Sequence, residues 1–107
     1  MLYISTRGGI DAIPFEDAVM MGLADDGGLL LPETIPALAV KEIDDLAFLP
    51  YPELAFRIIS LFAEDVPRPI LKDLIDRSYA TFSHPEITPV VKKGDIYILE
   101  LFHGPTL

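Results

Sequence analysis

The apolar positions change spacing along the chain, and prolines and glycines separate the resulting segments. Leu2–Ser5 is short, partly β-branched and aromatic, which predicts a strand that ends in the loop of residues 6–9. Apolar residues at helical spacing then follow Pro14, with two acids in the first turn, so a helix is predicted to begin at this proline. Residues 29–31 predict a short buried strand before Pro32.

The middle of the chain carries helical periodicity. A short helix is predicted near residues 40–47, a second helix begins at Pro52, and a third begins at Pro67 or Pro69. We expect the last two to form an antiparallel pair joined by a tight connection at residues 65–66. The apolar face of the second helix comprises Leu54, Ile58, Leu61 and Phe62, and that of the third comprises Ile70, Leu71, Leu74, Ile75 and Tyr79.

The C-terminal part of the chain has the pattern of a β-hairpin. Val90 and Val91 predict one strand, residues 96–102 predict the other, and Lys-Gly-Asp at residues 93–95 is a good short turn. Gly104 and the following proline must end the second strand. The order of strand, helix, strand, helices and hairpin predicts an α+β fold.

Composition narrows the class of protein. The 107 residues fit one small domain, and half of them are hydrophobic. The net charge of −9 without a basic stripe argues against binding to nucleic acid or to anionic membranes. No segment has the features of a signal peptide, so we expect a cytoplasmic location. The absence of cysteine excludes disulfides, thiolate catalysis and zinc–cysteine sites.

Most polar groups have an ordinary structural interpretation. The two histidines lack metal-ligand spacing, and His84 is interpreted as a surface or helix-capping residue. Residues 25–28, Asp-Asp-Gly-Gly, are interpreted as a turn, since the acids lack the spacing of a calcium loop. The loop at residues 5–9 combines hydroxyls, the Arg7 guanidinium and backbone N–H groups, so it either binds an anion or is a simple connection. No acid–base pair and no metal site are nominated.

The segment ELFHGPT, residues 100–106, is the least ordinary stretch. Strand alternation would place His103 on one face and Glu100 on the other, within an apolar run. A glutamate there either lies near a sheet edge or meets a partner outside this chain. A Gly-Pro-Thr loop after a strand can lead into a helix capped by Thr106, which is a place where ligands bind, or it can be a structural turn. The pattern alone leaves both interpretations open.

Several ordered stretches resemble the threonine synthase family, whose members are pyridoxal-phosphate enzymes of fold type II. The resemblance covers essentially the whole chain, although many relatives have Pro at position 25 and an aromatic residue and Val at positions 30 and 31. The matching stretches are residues 3–8 (YISTRG), 15–19 (FEDAV), 22–24 (GLA), 26–29 (DGGL), 31–33 (LPE) and 99–106 (LELFHGPT).

The resemblance implies a reaction and a division of the chain. The family converts O-phospho-L-homoserine and water into L-threonine and phosphate, with pyridoxal phosphate as the electron sink. Residues 1–88 would form the N-terminal domain, and residues 89–107 would form the hairpin and loop at the start of a catalytic domain. The Schiff-base lysine would lie just beyond Leu107, so this chain alone is expected to hold no cofactor and to be inactive.

The resemblance also implies positions near the active site. His103, Gly104, Pro105 and Thr106 would lie beside the cofactor in the whole enzyme, and Arg7 would contact substrate phosphate or the catalytic domain. We expect an apolar patch around Leu99, Leu101 and Leu107 to pack on that domain and to drive self-association of the isolated chain. Two alternatives stay open: a threonine synthase-like phospholyase, and a separate interaction or regulatory module.

Overall fold

The computed structural model describes residues 1–106 and has the predicted α+β organisation. A three-stranded sheet comes first, three helices follow, and a two-stranded hairpin comes last. The elements in chain order are β1 (Leu2–Ser5), β2 (Ile13–Pro14), α1 (Phe15–Met21), β3 (Leu30–Pro32), α2 (Val40–Leu46), α3 (Tyr51–Ile59), α4 (Arg68–Tyr79), β4 (Val90–Lys93) and β5 (Ile96–Leu99).

The small sheet has the order β2-β1-β3, with both pairs antiparallel. Strand β1 has the predicted bounds, and its Tyr3 and Ser5 side chains are buried on one face of the sheet. Strand β2 was not predicted, because two residues are too short to show a period. It ends at Pro14, which therefore lies just before α1 and not at the first helical position.

Burial in this part of the chain is lower than the apolar pattern predicted. Strand β3 occupies residues 30–32, but Leu31 is 48% exposed, so the expected buried strand is a half-exposed one. On α1, Ala18 is buried while Val19 is exposed, and Leu23, predicted on the same helical face, is exposed beyond the end of the helix. One face of an antiparallel sheet can remain uncovered, and only the face bearing Tyr3 packs inward here.

The main core lies between α3 and α4, which form the predicted antiparallel pair. The Tyr51 ring at the start of α3 meets the Tyr79 ring at the end of α4, with centroids 5.0 Å apart. At the other end, the Arg68 guanidinium lies 4.8 Å from the centre of the Phe56 ring. The buried residues of this core are Ala55, Phe56, Ala63, Val66, Leu71 and Ile75.

The predicted tight connection at residues 65–66 is wrong. Helix α3 ends at Ile59 and α4 begins at Arg68, so residues 60–67 join them. This segment is long because Ala63 and Val66 turn back into the core and contribute to it. The predicted helical stripes were also partly misplaced: Leu61 and Phe62 lie beyond the end of α3.

On both helices the buried face is narrower than the apolar face. On α3 the buried residues are Ala55 and Phe56, whereas Leu54 and Ile58 are half-buried on the neighbouring face. On α4, Leu71 and Ile75 are buried, but Ile70 and Leu74 are exposed. Each helix therefore buries a narrower face than its apolar residues cover, because each packs closely against one partner.

The same connection attaches the sheet to the helical pair. The Tyr3 hydroxyl donates to the Phe62 carbonyl oxygen at 3.1 Å, and burial raises the pKa of this tyrosine. The Glu16 N–H at the start of α1 donates to Asp65 Oδ2 at 2.9 Å. The amino terminus forms an ion pair with Glu64. Residues 60–67 thus carry contacts to both halves of the fold.

Helix α2 and the C-terminal hairpin complete the described chain. Helix α2 forms as predicted. The hairpin forms with Val90 opposite Leu99 and a turn at Gly94 and Asp95, but β5 ends at Leu99 and not at Phe102 as predicted. The β5 side chains are all exposed. None of the helices within residues 1–106 has the length and apolar character needed to cross a bilayer.

Replacing Tyr3 with Phe tests the link between sheet and helices. The variant keeps the ring and removes the donor to the Phe62 carbonyl, so we expect the free energy of unfolding to fall by about 1 kcal/mol. Urea denaturation of the chain measures this change. Tyr97→Phe is the matched control, because this tyrosine is 70% exposed. Equal stability losses in the two variants would contradict the proposed role of the Tyr3 hydroxyl.

Candidate functional site

Two loops that are distant in sequence interlock at the end of the small sheet. We call residues 5–9 and 25–29 the N-terminal loop pair. The centre of the pair is the Asp26 carboxylate, which accepts hydrogen bonds from both loops. Its donors are Ser5 Oγ at 2.7 Å, the Gly9 N–H at 2.7 Å and the Gly28 N–H at 2.8 Å.

The loop pair fits closely around these bonds. The Leu29 N–H donates to Thr6 Oγ1 at 2.9 Å, and the Thr6 N–H donates to the Leu29 carbonyl at the same distance. A Cβ atom added to Gly28 would overlap the Ser5 hydroxyl, so glycine is needed there for the close approach of the two loops. The predicted turn at residues 25–28 is confirmed, and its partner is the first loop.

The anion-binding groups of the first loop are therefore engaged within the chain. Sequence reasoning recognised donors around Arg7 but did not identify Asp26 as the anion that they bind. Arg7 itself is exposed, and its Nη1 donates to the Asp26 carbonyl oxygen at 2.9 Å. The hydrogen bond from Ser5 lowers the pKa of Asp26, and the Gly28 N–H, the Gly9 N–H and the Arg7 charge act in the same direction.

The second candidate region is formed by residues 100–106, which we call the C-terminal segment. The chain just beyond α4 holds it by two hydrogen bonds: the Ser83 N–H and Oγ donate to the His103 carbonyl at 2.9 and 3.2 Å. The Gly104 backbone lies against the Phe82 ring, where an added Cβ would be 3.0 Å from a ring carbon. Phe82 in turn contacts Tyr79, with centroids 5.1 Å apart. Helix α4 therefore fixes the position of this segment.

A carboxylate–imidazole pair lies inside the C-terminal segment. His103 Nε2 and Glu100 Oε2 are 2.7 Å apart, and their side chains are 15% and 20% exposed. The expected strand alternation through His103 is wrong, because β5 ends at Leu99 and the chain then bends. The two residues meet at i, i+3 spacing. The sequence marked Glu100 as unusual, but the expectation was that it lies near a sheet edge or meets a partner outside this chain.

His84, predicted to be a surface or helix-capping residue, is half-buried. It lies beyond the end of α4 at Tyr79, and its ring packs against the His103 ring with centroids 4.8 Å apart. His84 Nδ1 accepts from the Glu86 N–H at 3.2 Å, and its carbonyl accepts from the Ile87 N–H. Ile87 is buried with φ of +63°, an unusual conformation for a β-branched residue, and burial holds this turn in place.

The structure thus brings two of the predicted positions, His103 and Gly104, together with residues 82–84. Pro105 and Thr106 are exposed, and their proximity to an active site stays a prediction. Leu107, which was predicted to belong to the apolar patch, lies outside the described residues. Leu99 and Leu101 are exposed as expected, at 55% and 71%.

None of the four lysines has the surroundings that the cofactor-binding lysine of a pyridoxal-phosphate enzyme requires. Such a nucleophile is activated in a desolvated pocket or beside another cation. Lys72 instead lies 2.6 Å from Asp76 Oδ1, and Lys41 lies 2.8 Å from Asp45 Oδ2. Lys92 and Lys93 are exposed on β4. Within residues 1–106, no group of three or more acidic or histidine side chains converges as a metal site.

Known proteins are similar in sequence to nearly the whole of this chain. The family described as "Threonine synthase N terminus" matches residues 2–79. The chain is 48% identical to threonine synthase of Schizosaccharomyces pombe, in an alignment that covers 97% of this chain and 21% of that protein. It is 38% identical to threonine synthase-like 2 of Xenopus laevis, covering 99% of this chain and 23% of that protein.

A solved structure extends the match to three dimensions. The crystal structure of pyridoxal-phosphate-bound threonine synthase from Brucella melitensis superposes with a TM-score of 0.90 at 36% identity. The superposition covers 98% of this chain and 23% of that one. The chain therefore spans about a quarter or less of the length of these relatives.

The Asp26 carboxylate predicts a specific pH dependence of stability. Its pKa in the folded chain is lowered, so its stabilising contribution is present above the unfolded value of about 4 and is lost as pH falls through the folded pKa. We expect Asp26→Asn to be less stable than the wild type at neutral pH and to lose less stability between about pH 5 and pH 2. Urea unfolding midpoints across this range measure the effect.

The neighbouring acid provides the control for this experiment. Asp25 is exposed, and Asp25→Asn makes the same change of charge one residue away. We expect this variant to keep the wild-type pH dependence. If Asp25→Asn flattened the acid limb and Asp26→Asn did not, the assignment of Asp26 as the central group of the N-terminal loop pair would be wrong.

Proposed function

The chain belongs to the threonine synthase N-terminus family, and we propose that it is the N-terminal part of an enzyme that converts O-phospho-L-homoserine and water into L-threonine and phosphate. The observation that carries the proposal is the match to a pyridoxal-phosphate-bound threonine synthase in sequence and fold together, over nearly the whole chain. Fold alone would be weaker support, since one fold serves many functions.

We propose pyridoxal phosphate as the cofactor of the whole enzyme, where it serves as an electron sink for carbanion chemistry. We propose that this chain does not supply the cofactor lysine, and the support is that its four lysines are exposed or paired with carboxylates. The family resemblance instead assigns the cofactor lysine to a position beyond Leu107. The proposal therefore includes that the chain alone binds no cofactor and is inactive.

The contribution of this chain would be to shape and support the active site. We propose that His103, Gly104, Pro105 and Thr106 lie beside the reacting groups in the whole enzyme. The support for this proposal is the anchoring of His103 and Gly104 to the chain just beyond α4, which gives the C-terminal segment a defined position. Arg7 is proposed to contact substrate phosphate or the catalytic domain, since its side chain is exposed while its loop is fixed by Asp26.

We propose that residues 1–88 form the N-terminal domain and that residues 89–107 begin the catalytic domain. The exposed side chains of β5 support this division, because a hairpin left so uncovered is suited to pack elsewhere. The partner is the enzyme's own catalytic domain. We also propose a cytoplasmic location, on the ground that no segment of this sequence has the features of a signal peptide.

A second function is favoured by one specific observation. The chain is also similar to threonine synthase-like 2 over almost its full length, at a lower identity than to the fungal threonine synthase. The alternative is thus a phospholyase that removes phosphate from a related phosphorylated amino alcohol or hydroxy amino acid without forming threonine.

The assay of the full-length gene product separates the two functions. We expect the protein, supplied with pyridoxal phosphate and O-phospho-L-homoserine, to release phosphate and to form L-threonine in equal amounts. Phosphate is measured colorimetrically and threonine by chromatography on the same samples. Phosphate release without threonine would support the phospholyase, and release of neither product would overturn the proposed function.

The exposed hairpin predicts self-association of the isolated chain. Leu101 is 71% exposed, and we expect Leu101→Lys to weaken association by placing a charge in the apolar patch. Analytical ultracentrifugation over a wide concentration range measures the association. The control is Phe48→Lys, because Phe48 is 89% exposed but lies just after α2, away from the hairpin in sequence. A wild-type chain that stays monomeric at all concentrations would contradict the prediction.

A further inference from the structure

The pair formed by Glu100 and His103 has the geometry of a held imidazole. The distance of 2.7 Å between Glu100 Oε2 and His103 Nε2 is short for a hydrogen bond between nitrogen and oxygen, as expected when one partner is charged. Both side chains are largely shielded from solvent. A shielded pair is screened less by water and salt than an exposed one, so this contact constrains the ring strongly.

The chemistry of the pair determines which nitrogen carries the proton. An ionised carboxylate can only accept hydrogen bonds, so the proton shared with Glu100 belongs to His103 Nε2. In the neutral imidazole, Nδ1 is then the acceptor. Within residues 1–106, Nδ1 has no hydrogen-bond partner. The pair thus presents a basic nitrogen that the described part of the chain does not use.

The surroundings fix the ring in position as well as in tautomer. The His103 backbone carbonyl accepts two hydrogen bonds from Ser83, and the next residue packs on the Phe82 ring. The His84 ring covers one side of the His103 ring. His84 Nδ1 already accepts a hydrogen bond from the Glu86 N–H. A neutral His84 therefore has no proton on Nδ1 to donate to His103.

We propose that Glu100 is a positioning residue, which holds His103 as the Nε2–H tautomer so that Nδ1 faces the reacting groups as a hydrogen-bond or proton acceptor. This inference rests on the proposed function, because the reacting groups belong to the whole enzyme. A carboxylate that orients a histidine and stabilises its protonated form is a recurrent arrangement in acid–base catalysis. Glu100 acts through His103 and need not touch the substrate.

Steady-state kinetics of the full-length enzyme test the positioning role. General acid–base groups contribute about 10²- to 10⁴-fold, and we expect Glu100→Ala to lose part of this, lowering kcat by about 10- to 100-fold. The KM for O-phospho-L-homoserine should change little, because Glu100 is proposed to act on the reaction and not on binding. Glu100→Asp, which keeps the carboxylate, should recover part of the lost kcat.

The control is Glu86→Gln, which removes an exposed carboxylate from a residue whose backbone N–H donates to His84. We expect this variant to keep wild-type kcat and KM. A folded Glu100→Ala enzyme with wild-type kcat, or with a raised KM alone, would overturn the inference. If Glu100→Ala does not fold, Glu100→Leu carries the test, since it keeps a side chain of similar size and removes the hydrogen-bond acceptor; wild-type kcat in Glu100→Leu overturns the inference and a reduced kcat supports it.

A spectroscopic measurement separates this inference from the proposed function. Nitrogen NMR of the full-length protein labelled at histidine should show that the neutral His103 ring carries its proton on Nε2 and not on Nδ1, with the signals assigned by their loss in His103→Gln. Glu100→Ala should mix the two tautomers. Protonation at Nδ1 in the wild type would overturn the positioning role whatever the activity. An inactive wild type with the expected tautomer would overturn the proposed function. The catalytic use of the pair would then be wrong, but the tautomer-holding role of Glu100 would stand.

Discussion

The packing of α3 against α4 is the interaction on which the remaining structure depends. Phe56 of α3 packs with Leu71 and Ile75 of α4, and Ala63 of the connecting segment, the most buried residue of the core, is only 1% exposed. This packing forces residues 60–67 back over the helices, and that segment then receives Tyr3 and the start of α1. At its other end, α4 continues into residues 82–84, which hold the C-terminal segment. A loosened helical pair would therefore release the C-terminal segment and detach the small sheet from residues 60–67.

Two carboxylates organise the polar parts of the molecule in different ways. Asp26 is surrounded by donors from two loops, so its charge is used to fix the backbone. Glu100 meets a single imidazole and leaves that ring with an unused acceptor within the described chain. The first arrangement is complete in itself, whereas the second has the form of a site that needs a further group.

The distribution of apolar surface agrees with a domain that works as part of a larger enzyme. The core lies between the two helices and the segment that joins them, and β5 exposes its apolar side chains on both faces of the hairpin. A small domain buries a limited fraction of its surface, and a two-stranded hairpin is marginal alone in water. Under the proposed function, the catalytic domain covers the hairpin and brings its own residues to the imidazole of His103.

The sequence by itself determined the α+β class, the first strand, the helical pair, the hairpin and the family, because periodicity, turn residues and ordered motifs are local signals. It also marked Glu100 as unusual and the loop around Arg7 as able to bind an anion. Only the tertiary structure decided which partners these groups have. Asp26 reaches the first loop because β1 and β3 pair side by side, and Glu100 reaches His103 because the chain bends after Leu99. Contacts between residues distant in sequence, and bends that end a strand early, depend on packing against other elements, which no local pattern contains.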